Sequence, residues 1–404
     1  VTPDDLAFLT SDRGAALLAR LHHADLSDAA LLRLLTGLRR DHPPNETTPA
    51  IELIRARRTA VAKFGDAAAR MFFTREAVEQ ASHPSARAWR AAQAAASGAR
   101  AVLDVCCGAG ADALAFAHVG MRVTACDLDP ARAAMARLNA EAVGVPLSVQ
   151  VADARALAPA LIAAHDLIFF DPARRDSGGR VYHVEAIEPP LSTVRGWGGA
   201  RIWVKLSPGV AIDQIAPYLD AGAALDFISA DGELKEALLR LNDGGGARRA
   251  IMVIDGVVHA LTHDPDAHLP TAPPSGWLCE PDPAVIRAGA VEQVARTCNG
   301  TLLDGQIAYF CAPAPPPLPY VRAWRIREWM PFNVRKLRAA LVARGISGVT
   351  VKKRGSPITP EALIGMLRLR GDGDRCTLVL TRWDDSPIVM LCDEHPAGRL
   401  DLDE

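Results

Sequence analysis

The stretch AVLDVCCGAGADALAFA, residues 101–117 of a 404-residue chain, decides the fold. Residues of strand character run to Val105, Gly108-Ala109-Gly110 form a turn, and an Ala-rich helix follows. Glycines are needed in such a turn because the backbone must bend sharply and pass close to a ligand, which a Cβ would prevent. Asp127 stands nineteen residues after Gly108, at the end of a second strand, where an acid can accept two ribose hydroxyls. Together these features predict a nucleoside-bearing cofactor. A dinucleotide stays a rival at this point, because GAGADA also fits G-x-G-x-x-A.

Outward from this stretch, strand and helix alternate. Candidate strands are RVTAC (122–126), LSVQV (147–151), DLIFF (166–170), RIWVKL (201–206), LDFIS (225–229) and RAIMVID (249–255). The first five strands, from AVLDV (101–105) to RIWVKL, are separated by lengths suited to crossover helices, which predicts a mostly parallel sheet covered on both faces. RAIMVID-Gly256-VVHALT predicts a hairpin. Upstream, residues 1–98 read as helical, with starts capped at Thr2, Ser27 and Thr74 and a break at His42-Pro43-Pro44-Asn45. Downstream, 261–300 is looser, with one helix expected around Asp282 to Ala295. PAPPPLP (313–319) reads as a stiff linker. Residues 320–404 then alternate strand and helix as a small α/β unit. Domains are therefore expected at 1–98, 99–312 and 320–404.

The composition, 49% hydrophobic and 23% charged, is that of an ordinary globular protein. No apolar run reaches the roughly 18–20 residues a bilayer requires, and VTPDDLAFLTSD lacks the basic-then-apolar order of a secretory signal. Eight cysteines without a CxxC pair argue against structural zinc or a disulfide framework. A cytoplasmic protein with reduced thiols and no metal site is expected. The net charge of -2 conceals an asymmetry: Arg322 to Arg375 holds thirteen basic and four acidic residues. Trp324, Trp329 and Phe332 interleave with these cations, as in a surface that holds phosphates by charge and bases by stacking. Arg335, Lys336, Lys352, Lys353 and Arg354 are the candidate RNA contacts, and the same charge argument adds Arg55, Arg57, Arg58 and Lys63 from the helical segment.

LDVCCGAGADALAFA and VTACDLDPARAAMARLNA resemble the first two motifs of class I S-adenosylmethionine-dependent methyltransferases. The resemblance implies a Rossmann-like seven-stranded sheet. It also implies that Asp104, Gly108 and Gly110 meet the amino-acid moiety of S-adenosyl-L-methionine and Asp127 its ribose, with Asp129 the lesser candidate. QVADARAL implies that Asp153 accepts from the adenine amine and that the Ala154 amide meets a ring nitrogen. The fourth strand ends Phe169-Phe170-Asp171-Pro172-Ala173-Arg174-Arg175, the position that faces the methyl group in this family. D-P-P/A-R is similar to the 5-methyluridine RNA methyltransferases, but those carry a catalytic cysteine in S-C-N-P. Here Lys205-Leu206-Ser207-Pro208-Gly209 follows the next strand, so carbon-5 chemistry is not expected. Asp171 is the expected acceptor of the nucleophile's proton. Arg174 is expected to hold a phosphate or carbonyl, and Lys205 to stabilise charge on a base carbonyl. GELKEALLRL (232–241) reads as a solvated helical turn, or as a polar cluster in which Glu233, Lys235 and Glu236 edge the substrate pocket.

MFFTREAVEQAS, FFDPARR, WVKLSPG, GELKEALL and MPFNVRKLRAALVARG…VTVKKRG together resemble a family of bacterial methyltransferases with a THUMP-like domain. The implied layout is an N-terminal helical domain, the methyltransferase sheet and a small α/β THUMP-like domain. The implied function is methylation of a base nitrogen in tRNA or rRNA. The alternatives are a small-molecule methyltransferase whose extra domains cover the pocket, and a non-catalytic RNA-binding protein that uses the cofactor structurally.

Overall fold

The computed structural model describes residues 1–173, 175–176, 179–180, 183–219, 222–243 and 245–396. By its contacts the chain divides into two units, Val1–Asp226 with Lys235–Gly246, and Phe227–Leu234 with Ala247–Glu404.

The first unit opens with α1 (Pro3–Leu9), α2 (Asp12–Leu21), α3 (Asp28–Leu38), α4 (Pro44–Phe64), α5 (Arg75–Gln80) and α6 (Pro84–Ala96). Thr2 and Asp5 cap α1 reciprocally, and the Thr74 hydroxyl accepts from the Ala77 amide at the start of α5. Ser27 precedes α3 as expected but makes no side-chain cap. Leu9, Leu17, Leu21, Leu38, Leu53 and Ile54 form the core of this bundle. The cations expected to hold phosphates also bond backbone carbonyls. Arg55 donates to the Leu26 carbonyl, Arg57 to Met71, Arg58 to His22 and Ala24, and Lys63 to Val78, Glu79 and Ala81. Helix ends and turns leave carbonyls without partners, and these side chains fill them.

The unit continues through β1 (Ala101–Val105), α7 (Ala111–His118), β2 (Arg122–Asp127), α8 (Pro130–Val143), β3 (Ser148–Val151), α9 (Pro159–Ala163) and β4 (Leu167–Phe170). A two-residue antiparallel ladder follows, β5 (Arg175–Asp176) with β6 (Gly179–Arg180), then β7 (Ile202–Leu206), α10 (Ile212–Ile215), β8 (Ala224–Ala230) and β9 (Glu233–Leu241). The strand order is β3-β2-β1-β4-β7-β9, parallel except for β9, which runs antiparallel to β7. GELKEALLRL is thus a strand rather than a helical turn. Its Glu, Leu, Lys and Ala are good helix formers, but Leu206 pairs with Ala237 and Val204 with Leu239, and Ala237, Leu238 and Leu239 are fully buried. Pairing and burial override local propensity.

The second unit contains the hairpin β10 (Arg248–Ile254) and β11 (Val257–Thr262), turned through Asp255 and Gly256 at positive φ. It also holds β12 (Trp277–Pro281), α11 (Pro283–Ala288), α12 (Val291–Thr297), β13 (Thr301–Asp304), β14 (Ile307–Ala312), β15 (Val321–Pro331), α13 (Val334–Ala343), β16 (Ile346–Lys353), α14 (Pro360–Leu367), β17 (Asp374–Trp383) and β18 (Ser386–Cys392). The single helix expected near 282–295 is two, divided at Gly289, which takes φ +79. Seven strands order as β13-β14-β12-β15-β18-β17-β16. Because β12 pairs with both β14 and β15, strands on either side of the proline run share one sheet. The prolines thus connect neighbours within a sheet. The seven strands expected of the first sheet run from β3 to β8, which lies beyond β9.

One face of the second unit's sheet buries Leu278, Tyr309, Trp324, Val379 and Met390, while Leu337, Leu341, Leu363 and Leu367 of α13 and α14 cover the other. Trp324 lies within the first cluster and Trp329 packs against it, edge-on to Trp383 at 5.5 Å; Phe332 packs against the second. The aromatics expected to stack on bases are packing residues. No helix among the described residues is long and apolar enough to cross a membrane.

Candidate active site

β1 is buried along its whole length between β2 and β4, as a central parallel strand must be. The turn after it takes left-handed backbone at Cys106 (φ 64), Gly108 (φ 55) and Gly110 (φ 85). A Cβ on Gly108 would meet nothing within 4 Å, whereas on Gly110 it would lie 3.1 Å from the Ala136 Cβ. The first glycine leaves open space, and the second allows α8 to approach. Asn139 of α8 is fully buried and fastens the turn. Its Nδ2 donates to the carbonyls of Ala109 (2.9 Å) and Phe72 (3.0 Å), and its Oδ1 accepts from the Phe72 amide (2.6 Å).

Asp127 ends β2 and accepts from the amides of Gly108 (2.9 Å) and Asp129 (3.0 Å), one on each oxygen. A carboxylate has about four acceptor positions, so each oxygen keeps capacity for a ligand hydroxyl. Asp129 caps α8 through the Ala131 amide. Leu128 is 59% exposed and lies on the wall of the adjoining cavity. Asp153 accepts from the Arg155 amide at 2.9 Å and is gripped by its guanidinium, which also reaches Glu188. Hydrogen bonding from Arg155 holds the Asp153 carboxyl below the usual range. Trp197, edge-on to Phe170, donates from Nε1 to the Ala154 carbonyl at 3.2 Å and backs this turn.

Asp104 is 1% exposed on β1. Burial pushes its carboxyl well up, with the charges of Asp112 and Asp171 adding to the effect. The Ala113 amide gives some relief, but neither oxygen accepts a hydrogen bond of ordinary geometry. Such a group fits a cation that brings its own N–H donors.

At the far end of the cavity Lys205, 3% exposed, donates to Asp171 Oδ2 at 2.6 Å. The Asp171 amide in turn bonds the Val105 carbonyl at the end of β1. The two candidates from different strands are thus brought together. Arg174 lies outside the described residues.

Behind this pair runs a network that the sequence did not reveal. Arg90 of α6, fully buried, pairs with Asp112 of α7 and Glu236 of β9, and its guanidinium lies over the Phe169 ring, 5.0 Å from the centroid. The Ser82 hydroxyl donates to Asp112 at 2.8 Å. Burial alone would raise the Asp112 carboxyl, but Arg90 and Lys205 outweigh it and hold it below the usual range. Asp112 lies in the glycine motif and Glu236 in the polar GELKEALLRL run, both on the cavity wall; Arg90 carries no such signal, because an arginine in an Ala-rich helix reads as solvated until the fold buries it.

Gly108, Asp112, Asp127, Asp153, Asp171, Lys205 and Glu236 line a cavity of about 660 Å³, within the size range of small-molecule sites. Nine carboxylates and five Lys or Arg side chains line it. The excess of four negative charges favours a ligand with net positive charge, as a sulfonium amino acid has. Residues 63–83, ahead of the sheet, supply one wall, including Lys63, Thr74, Ser82 and His83.

The candidate RNA contacts separate into two groups. Lys352 bonds Glu280 at 2.8 Å and lies over Trp324, while Arg354 approaches Glu280 at 3.7 Å and lies over Tyr309. Arg322 bonds the same carboxylate at 2.9 Å. Arg335, Lys336 and Lys353 are exposed. Of these, Lys353 approaches the Ser356 carbonyl at 3.4 Å.

Comparison with known proteins agrees with this geometry. Residues 102–173 match a methyltransferase domain model, 321–394 a THUMP domain-like model, and 2–60 a domain of unknown function. An uncharacterized S-adenosylmethionine-dependent methyltransferase of Mycobacterium tuberculosis, found in two strains, is 31% identical over 340 residues, covering 82% of this chain and 92% of that protein. The crystal structure of a putative methyltransferase from Porphyromonas gingivalis W83 shares the fold, with a TM-score of 0.76 at 20% identity, covering 98% of this chain and all of that one. The cofactor is S-adenosylmethionine. With a relative 31% identical over 82% of its length and the two domain matches, the chain belongs to the S-adenosylmethionine-dependent methyltransferases of class I fold, with a THUMP-like C-terminal domain.

Proposed function

We propose that the protein methylates a base nitrogen of tRNA or rRNA in the cytoplasm. The observation that carries this reading is the Asp171–Lys205 pair on the wall of the cavity that the glycine turn opens into. S-adenosylmethionine supplies a methyl group on a positively charged sulfur. Asp104 meets the cofactor's ammonium, the Gly108–Gly110 backbone its carboxyl end, Asp127 the ribose hydroxyls, and Asp153 with the Ala154 amide the adenine. Asp171 accepts a hydrogen bond from the acceptor nitrogen and takes its proton. Lys205 fixes Asp171 and neutralises charge beside it. Arg174 is kept as a candidate for a phosphate or carbonyl.

RNA as the acceptor is supported by the THUMP-like match and by Arg335, Lys336 and Arg338, which are exposed on α13 and make no ion pair among the described residues. The reading is tested by nucleoside mass spectrometry of tRNA and rRNA from cells with and without the gene. One methylated nucleoside missing from one fraction is expected. Unchanged profiles in both would overturn it and turn attention to small-molecule acceptors.

A further inference from the structure

We propose that the acceptor is a lactam edge, a ring N–H beside a carbonyl, as guanine presents at N1 and O6 and uracil at N3 and O4. This rests on the reading of the protein as an RNA base methyltransferase and narrows its substrate. Lys205 is 3% exposed, lines the cavity, and makes one hydrogen bond among the described residues, to Asp171 Oδ2. An ammonium has three donors, so two are left unfilled in a buried group, a state that favours an oxygen acceptor from a ligand. Asp171 Oδ1, beside it, accepts from no donor among the described residues. One acceptor and a set of donors therefore stand side by side on the wall, complementary to an edge with one donor and one acceptor.

Adenine and cytosine also place an N–H beside an acceptor, so hydrogen bonding alone does not choose. Charge does. A lactam nitrogen becomes nucleophilic as its proton leaves, and the negative charge moves onto the neighbouring oxygen, where an ammonium stabilises it. An exocyclic amine attacks with its protons in place and becomes positive, which an ammonium at the adjacent ring nitrogen opposes. In the lactam case the ring N–H proton passes to the Asp171 carboxylate and its electron pair forms the new bond to the methyl carbon. The carbon–sulfur bond breaks with its pair staying on sulfur as a neutral thioether, and Asp171 releases the proton to solvent.

The test incubates the full-length protein and methyl-labelled S-adenosylmethionine with tRNA and rRNA from cells lacking the gene, and reads the label by nucleoside mass spectrometry. Label in 1-methylguanosine or 3-methyluridine is expected, and which of the two names the base. Label in N6-methyladenosine, N4-methylcytidine or N2-methylguanosine overturns the lactam assignment while the RNA reading stands. Label in neither RNA pool overturns both. A readout without turnover titrates protein saturated with S-adenosylhomocysteine. Guanosine should bind about tenfold tighter than adenosine, or uridine than cytidine, and Lys205→Met should erase the difference. Preference for the amine nucleosides in the unaltered protein overturns the proposal, whether or not the variant folds.

Discussion

Replacing Asp104 by Asn should make the protein more stable and unable to bind its cofactor. Asp104 is buried with no hydrogen bond of ordinary geometry among the described residues, near the charges of Asp112 and Asp171, and its carboxyl is pushed well up. A raised carboxyl stabilises the fold below the unfolded value of 3.8, and that contribution is lost as pH rises through the folded value, so at neutral pH the group is a cost. Each tenfold weakening of the acid on folding corresponds to about 1.4 kcal/mol, and a buried unsatisfied group costs about 1–3 kcal/mol, more when charged. The isosteric amide removes the charge and should recover about 2 kcal/mol, which at roughly 2–4 °C per kcal/mol for a unit of this size is an increase of about 4–8 °C in Tm. Saturating S-adenosylhomocysteine at about 100 times Kd should stabilise the unaltered protein by about 2.7 kcal/mol and the variant hardly at all. Differential scanning calorimetry with and without ligand, repeated at pH 4 where the apo difference should narrow, measures both effects. An apo variant that melts below the unaltered protein, or one that keeps the full ligand-induced rise in Tm, would refute the reasoning.

Arg90→Met leaves Asp112 and Glu236 buried without their ion-pair partner and should cost about 3–5 kcal/mol, read by urea unfolding, with partial recovery on adding Glu236→Gln. Because Arg90 helps to hold Asp112 below 3.8, the stability linked to Asp112 is present above that value and lost as pH falls through the folded one, so the cost of Arg90→Met should shrink in acid. Asn139→Ala strips three hydrogen bonds from the glycine turn and residue 72; a loss of roughly 2–4 kcal/mol and weaker S-adenosylhomocysteine binding by calorimetry are expected, and an unchanged Kd would count against its role in the turn. Arg335→Glu with Lys336→Glu should weaken RNA binding and reduce the salt slope by about 0.7 for each phosphate no longer held, measured by filter binding across salt concentrations. Lys352→Met should act mainly on stability, because Lys352 is held by Glu280 and Trp324; urea unfolding set beside filter binding separates the two effects.

The first motif was legible because its chemistry is local: glycine at positive φ, an acid after the second strand, and a buried strand that ends in a turn all fall within about thirty residues. The Asp171–Lys205 pair was half legible. Each residue lies at the end of a strand, but only the pairing of β4 with β7 shows that they touch. What was missed depends on distance along the chain. The Arg90 partners lie 22 and 146 residues away. The basic run from Arg322 to Arg375 concealed its own counter-charge, because Glu280 lies outside that window. The proline run shows stiffness, a local property, whereas the insertion of β12 between β14 and β15 is set by pairing. The strand β9 looked helical because composition reports propensity and cannot report a waiting edge.

The arginine that reaches from α6 into the sheet also limits how this gene can be rearranged. A shortened chain starting at residue 99 would keep the whole methyl-donor motif yet leave two buried carboxylates without the arginine that pairs them. It would also lose Phe72, against which Asn139 braces the glycine turn. The catalytic sheet is therefore not a portable cassette. A lineage that exchanged its leading helices would have to bring a matching cation and backbone brace in the same step, or lose the ability to hold the methyl donor.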